Sequence, residues 1–111
     1  MIVRIDPAGV RLDEPDECGR FHVQVAEGVT DLAGALAAAD VGTLADDEHA
    51  WVRVDAVRRL AEGRVPDDWP SRFDGMLRYA ASKGWLDGEG SAIRAHLEHD
   101  DGEGSVTSGR P

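Results

Sequence analysis

The chain has 111 residues, of which 41% are hydrophobic and 31% are charged, and its formal net charge is −10. This length and composition correspond to one globular domain and exclude a wholly disordered chain. The excess of acids argues against a phosphate-binding surface, and no apolar run approaches the roughly 20 residues that would span a bilayer.

The first 26 residues are predicted to form a β-hairpin or meander. Val3 and Ile5 alternate with polar neighbours, residues 6–9 supply the Asp, Pro and Gly typical of a type I turn, and residues 10–12 alternate again. A third strand is predicted over residues 21–25, whose apolar side chains share one face.

Residues 29–99 are predicted to be mainly helical, with two short β segments. Helices are expected over 31–39, 55–62 and 70–83, and a short strand over 51–54. The third helix has the strongest pattern, because five residues share one face: Trp69, Phe73, Met76, Leu77 and Ala80. Residues 46–48 are all acidic, which is typical of a solvated loop.

The C-terminal part is predicted to contain a second β-hairpin over residues 85–98, turned at 87–90. A helix over 91–99 is the competing prediction, but strict alternation after a glycine-rich turn favours a strand. Residues 100–111 are polar and rich in Gly and Ser, so we expect a disordered tail after a single α+β domain at 1–99.

This order of helix, strand, two helices and hairpin resembles a winged helix-turn-helix domain. The most suggestive segments are Val54 and Asp55, which lead into a helix, and residues 79–86, which lead from the third helix into the hairpin. The resemblance implies an N-terminal β-hairpin or meander joined to a winged-helix-like three-helix unit. In such domains the third helix typically enters the major groove of DNA. Eleven arginines against one lysine, and no asparagine, are typical of a GC-rich bacterial genome.

The distribution of charge argues against DNA binding. Residues 1–50 carry three arginines against eleven acids, and residues 51–86 carry only seven basic residues against five acids. Asp74 precedes Arg78 by four residues, a spacing that predicts an ion pair, and the turn of the C-terminal hairpin carries Asp87 and Glu89. These surfaces lack the several free cations that binding to phosphates requires.

The leading hypothesis is therefore a small cytoplasmic interaction or accessory protein without catalytic activity, which binds a protein partner or a second copy of itself. The alternative is a winged-helix transcriptional regulator, and a small enzyme is the least supported class. The predicted partner-binding residues lie on the strand at 51–54 and on the second and third helices: Trp51, Arg53, Arg58, Arg59, Arg72, Arg78, Tyr79 and Lys83.

No catalytic residue, cofactor or metal ligand is predicted. His96 and His99 with Asp100 could offer metal ligands, but residues three apart on a strand point to opposite faces. Cys18 is the chain's one cysteine, so no internal disulfide is expected, and the acids beside it would raise the pKa of its thiol.

Overall fold

A computed structural model describes residues 1–100, which form a mixed α+β fold dominated by one six-stranded sheet. The strands are β1 (Ile2–Asp6), β2 (Gly9–Asp13), β3 (His22–Val25), β4 (Gly42–Asp46), β5 (His49–Arg53) and β6 (Ala92–His99). The helices are α1 (Leu32–Ala38), α2 (Val54–Ala61) and α3 (Trp69–Ser82). The predicted tail lies outside the described residues, except for Asp100.

The strand order is β2-β1-β3-β6-β5-β4, with β3 parallel to both β1 and β6 and every other pair antiparallel. The predicted N-terminal hairpin is confirmed, and its turn is closed by the Asp6 carboxylate, which accepts from the N–H groups of Ala8 and Gly9. The third strand is also confirmed, although it pairs parallel to β1 and so does not continue an antiparallel meander.

One face of the sheet is buried under the helices and the other is open. Alternate residues such as Val3, Val23, Leu97 and Val52 are fully or almost fully buried. They share one hydrophobic cluster with residues of all three helices, for example Phe73. Residues one position along each strand point to the opposite face, which carries polar and charged side chains.

A further hairpin, β4–β5, was missed by the sequence analysis. The acidic residues 46–48, interpreted as a loop, lie at its tight turn, where the Asp46 carboxylate accepts from the N–H of Glu48. The short strand predicted at 51–54 is thus the second half of a longer strand at 49–53, and α2 begins directly after it at Val54.

The winged-helix arrangement is not confirmed. Residues 92–99 are a strand and not a helix, as predicted, but the hairpin expected over 85–98 is reduced to one bridge between Leu86 and Ile93. The main partners of β6 are instead β5, over residues 92–96, and β3, over residues 97–99, where Leu97 pairs with Val23. The central strand buries more apolar surface there than the arm of a small hairpin would.

Helix α3 carries a glycine that the fold does not need. A Cβ on Gly75 would meet only the Arg78 guanidinium, at 3.8 Å. Since glycine in a helix interior is about 1 kcal/mol less favourable than alanine, Gly75→Ala should raise the free energy of unfolding by about that amount. Urea denaturation measures this directly, and an unchanged or lower midpoint would contradict the packing described for α3.

Candidate functional site

The structure separates the eight predicted partner-binding residues into different surfaces. Trp51 alternates with the buried Ala50 and Val52, so its half-buried side chain lies on the open face of the sheet, away from the helices. The other seven lie at the end of β5 or on α2 and α3 and its C-cap: Arg53, Arg58, Arg59, Arg72, Arg78, Tyr79 and Lys83. The eight residues therefore do not share one continuous surface.

Two of the arginines bind acids from other parts of the chain. Arg58 of α2 contacts the Asp74 carboxylate of α3 at 3.1 Å, and its guanidinium lies 4.9 Å from the centre of the Phe73 ring. Arg72 pairs with Asp16 of the N-terminal loop, which raises the pKa of the arginine. These contacts join α3 to its neighbours, so both arginines already have structural partners.

Arg53 and Arg59 are likewise engaged near the end of α1. Arg53 lies 3.4 Å from Asp55 and 3.8 Å from Asp40, while Arg59 donates to the carbonyl oxygen of Ala39 at 3.2 Å. Exposed ion pairs such as those of Arg53 contribute little stability, but each of these contacts occupies a guanidinium that an anionic ligand would need.

The predicted ion pair between Asp74 and Arg78 is not formed. The Asp74 carboxylate turns to Arg58, and within residues 1–100 no carboxylate lies within salt-bridge distance of Arg78 or of Lys83. The spacing along the helix was correct, but a tertiary contact competed for the same acid. Among the residues that the structure describes, Arg78 of α3 and its C-cap residue Lys83 are therefore two cations without a carboxylate partner.

Two aromatic rings are exposed beside these cations. Tyr79 is 56% exposed and Trp85 is 40% exposed, and the rings meet edge to face with their centres 5.8 Å apart. The ammonium of Lys83 lies 5.5 Å from the centre of the Tyr79 ring, within the range of a cation–π contact. We call Arg78, Tyr79, Lys83 and Trp85 the aromatic patch.

The position of Trp85 in this patch is fixed by the way α3 ends. Lys83 caps the helix, and Gly84 follows with φ +78°, a left-handed conformation that glycine adopts without strain. The N–H of Trp85 then donates to the carbonyl of Ala80, and that of Gly84 donates to Ala81, which is the pattern of a Schellman motif. This turn brings Trp85 back against Tyr79.

Trp85 is the member of the aromatic patch that the sequence analysis did not place in the site. Its position after a helix-ending Lys-Gly pair was visible in the sequence, and that pair is the signal that could have indicated the fold-back. The structure leaves two-fifths of the surface of Trp85 exposed.

A shallow groove of about 450 Å³ lies between α2 and α3. Two of the predicted residues, Arg58 and Arg59, line it together with Glu62, Val65, Trp69 and Pro70. Its charged groups are of both signs, and Arg58 and Arg59 already have other partners within the fold. The groove therefore lacks the convergent polar groups typical of a small-molecule site.

Three histidines, His22, His96 and His49, lie in one row across β3, β6 and β5 on the open face, which the sequence analysis did not foresee. The rings of His49 and His96 are 5.6 Å apart, and the Asp46 carboxylate lies 3.0 Å from His49 Nδ1. The pKa of Asp46 is lowered, mainly because its carboxylate accepts a hydrogen bond from the backbone N–H of Glu48. The hydrogen bond with His49 is the second cause.

Within the described part of the chain, no group of three or more His, Cys, Asp or Glu side chains is arranged to hold a metal ion. Burial, rather than the neighbouring acids, is the main cause that raises the pKa of the Cys18 thiol. None of the helices in residues 1–100 is long and apolar enough to cross a membrane. Comparison of the chain with protein families, curated proteins and solved structures gives no match.

Proposed function

We propose that this protein is a non-catalytic interaction module that binds a protein partner through the aromatic patch. The observation that carries the proposal is the pair of exposed rings, Tyr79 and Trp85, held edge to face at the end of α3. We place this interaction in the cytoplasm, since the one cysteine of the chain needs no oxidising compartment.

The chemistry of the aromatic patch supports this function. Tyrosine, tryptophan and arginine are the residues most enriched at the energetic centres of protein interfaces. A small soluble domain gains nothing in stability by exposing half of a tyrosine and two-fifths of a tryptophan, whereas a partner that covers both rings would bury large apolar areas.

The geometry supports it as well, because the rings are already ordered. The Schellman motif fixes the backbone of Trp85, and the edge-to-face contact restricts both side chains. Less conformational entropy is then lost on binding than if the rings were free, so a partner binds the aromatic patch more tightly.

Charge favours a partner surface with acidic groups. Arg78 and Lys83 have no carboxylate partner within residues 1–100, although the chain as a whole carries −10. A local positive site on an anionic protein would orient an acidic partner during encounter and repel it elsewhere on the surface.

The same contacts weigh against DNA binding, the alternative hypothesis. Arg53, Arg58 and Arg72, which would have to contact phosphates, are held by carboxylates of this chain. Binding would require these ion pairs to break on a protein of net charge −10, and the remaining cations are too few for strong counterion release.

The test is a pull-down from the source organism with tagged wild type, Tyr79→Ala and Trp85→Ala, each with and without nuclease. We expect one protein partner whose affinity falls about 30-fold in each variant, since loss of an interface hot spot costs about 2 kcal/mol. Ser71→Ala, exposed at the start of the same helix, is the matched control and should retain the partner.

Two results would overturn the proposal. The first is a partner that binds wild type, Tyr79→Ala and Trp85→Ala with equal affinity. The second is recovery that disappears on nuclease treatment and includes a discrete DNA fragment, which would support the regulator hypothesis instead.

A further inference from the structure

The two edges of the sheet differ in how they are protected. At the β2 edge, Arg64 donates to the carbonyl of Leu12 at 2.7 Å, and Arg11 forms ion pairs with Asp6 and Asp13. A charged side chain thus occupies a main-chain acceptor that another strand would need. Natural sheets commonly use such charged groups to prevent edge-to-edge pairing.

Within residues 1–100, the β4 edge has no comparable protection. Gly42–Asp46 contains no proline, lysine or arginine, and four of its five residues are exposed, with Leu44 41% exposed. A bulge shifts the register only between Leu44 and Asp46, so residues 42–44 stay paired in register with β5.

The hydrogen-bond pattern shows which main-chain groups of β4 point outward. The N–H of Arg53 donates to the carbonyl of Val41 at 2.8 Å, and Thr43 pairs with Trp51 two residues further along. In an antiparallel pair the bonded positions alternate, so the N–H and C=O groups of Gly42 and Leu44 face away from β5.

The surface around this edge is also unusually free of charge. Residues 32–45 contain one charged residue, Asp40, in a chain in which 31% of residues are charged. Ala33, Ala37 and Ala38 of α1 are exposed, Leu44 of β4 is exposed as well, and α1 packs against β4. Homodimer interfaces are more apolar than other protein surfaces, and this is the composition seen here.

From these observations we propose that β4 pairs antiparallel with β4 of a second copy of this chain, centred on Thr43. The Gly42 and Leu44 groups of each copy then exchange four N–H to C=O bonds with Leu44 and Gly42 of the other. The exposed Leu44 side chains, opposite glycine and on the helix side of the sheet, continue the apolar surface between copies.

Charge does not prevent this pairing locally. The centre on Thr43 brings Asp40 of one copy opposite Asp46 of the other, but Asp40 lies 3.8 Å from Arg53 and Asp46 lies 3.7 Å from Arg94. The net charge of −10 per copy does oppose association over longer distances, and salt screens that repulsion. The dimer should therefore strengthen with ionic strength, the reverse of an acidic partner bound at the aromatic patch.

The test is sedimentation of the full chain from about 10 µM to about 1 mM at low and moderate salt. We expect reversible dimerisation that strengthens with salt, and that is retained by Leu44→Val and lost in Leu44→Pro. Proline removes only an outward N–H, and Thr43 before it is already extended, so the β4–β5 hydrogen bonds are kept. Circular dichroism confirms the fold of each variant.

Amide exchange of the wild type gives a second measurement that requires no variant. Protection of the Leu44 amide should rise with protein concentration. A chain that stays monomeric to about 1 mM at both salt levels, an association unchanged by a folded Leu44→Pro variant, or Leu44 exchange independent of concentration would each overturn the proposal. These results leave the aromatic patch untouched, because it rests on other residues.

Discussion

Phe73→Ala should lower the free energy of unfolding by about 3–5 kcal/mol, the range measured for loss of a buried aromatic ring. Phe73 is fully buried, stacks on Trp69 with ring centres 4.7 Å apart, and lies beneath the Arg58 guanidinium. Its removal leaves a cavity where α2 and α3 meet. The stacked Trp69 cannot move in to fill it, because a hydrogen bond from its indole N–H to the carbonyl of Pro15 holds the ring in place.

A loss of about 3 kcal/mol is a large part of the total stability of about 5–15 kcal/mol expected for a domain. The Phe73→Ala variant should therefore melt at least about 12 °C below wild type. Urea and thermal denaturation give both quantities. Tyr79→Ala, on the same helix but 56% exposed, is the matched control and should lower stability by about 1 kcal/mol, the contribution of its edge-to-face contact with Trp85. Equal losses in the two variants would contradict the orientation of α3.

Gly42→Ala should destabilise the protein by about 1–3 kcal/mol or more, because no methyl group fits at this position. A Cβ on Gly42 would overlap the carbonyl oxygen of Trp51 on the neighbouring strand, and that oxygen belongs to the backbone, which yields less readily than a side chain. The β4–β5 hairpin would have to separate locally, and Gly42 is where α1 leads into it.

Denaturation with urea measures the loss in Gly42→Ala, and amide exchange along β5 locates it. Gly88→Ala is the matched control, since a Cβ there meets no atom within 4 Å and the residue lies in an exposed turn. A Gly42→Ala variant as stable as Gly88→Ala would show that β4 does not approach β5 as closely as described.

Local patterns in the sequence were sufficient to predict several elements. The period of the apolar residues identified α3, alternation with a turn at 6–9 identified β1 and β2, and alternation after a glycine-rich turn identified β6. The β4 strand was missed because it is short and exposed on an edge, so Thr43, Leu44 and Ala45 show no alternation of buried and exposed residues.

The partners of the strands were not predictable in the same way. Pairing of β3 with β6 joins Val23 to Leu97, across more than 70 residues, and no local signal specifies such a contact. The winged-helix resemblance rested on the order of elements, which is compatible with more than one sheet. Pairing of β6 with β5 along one edge and with β3 along the other decided between them, and such pairing is a property of the whole fold.

The sequence named three residues of the aromatic patch, and the structure adds the fourth. Lys83 lies over the ring of Tyr79, and Trp85 meets that ring edge to face. The engagement of Arg58 by Asp74 was not foreseeable, because it depends on the contact between two helices. The spacing of residues along a helix indicates which of them can form an ion pair within that helix. It does not indicate which residue of another element binds one of them instead.

The central claim, that a partner docks on the aromatic patch, is tested most directly by photocrosslinking in the source organism. A photoreactive phenylalanine analogue would replace Tyr79, Trp51 on the open face of the sheet, or the exposed Ala37 of α1 in three separate strains. The account predicts a crosslink to one partner protein from position 79 and none to that partner from position 51 or 37. A partner captured from position 51 and not from 79 would place the interface on the open sheet face and contradict the account.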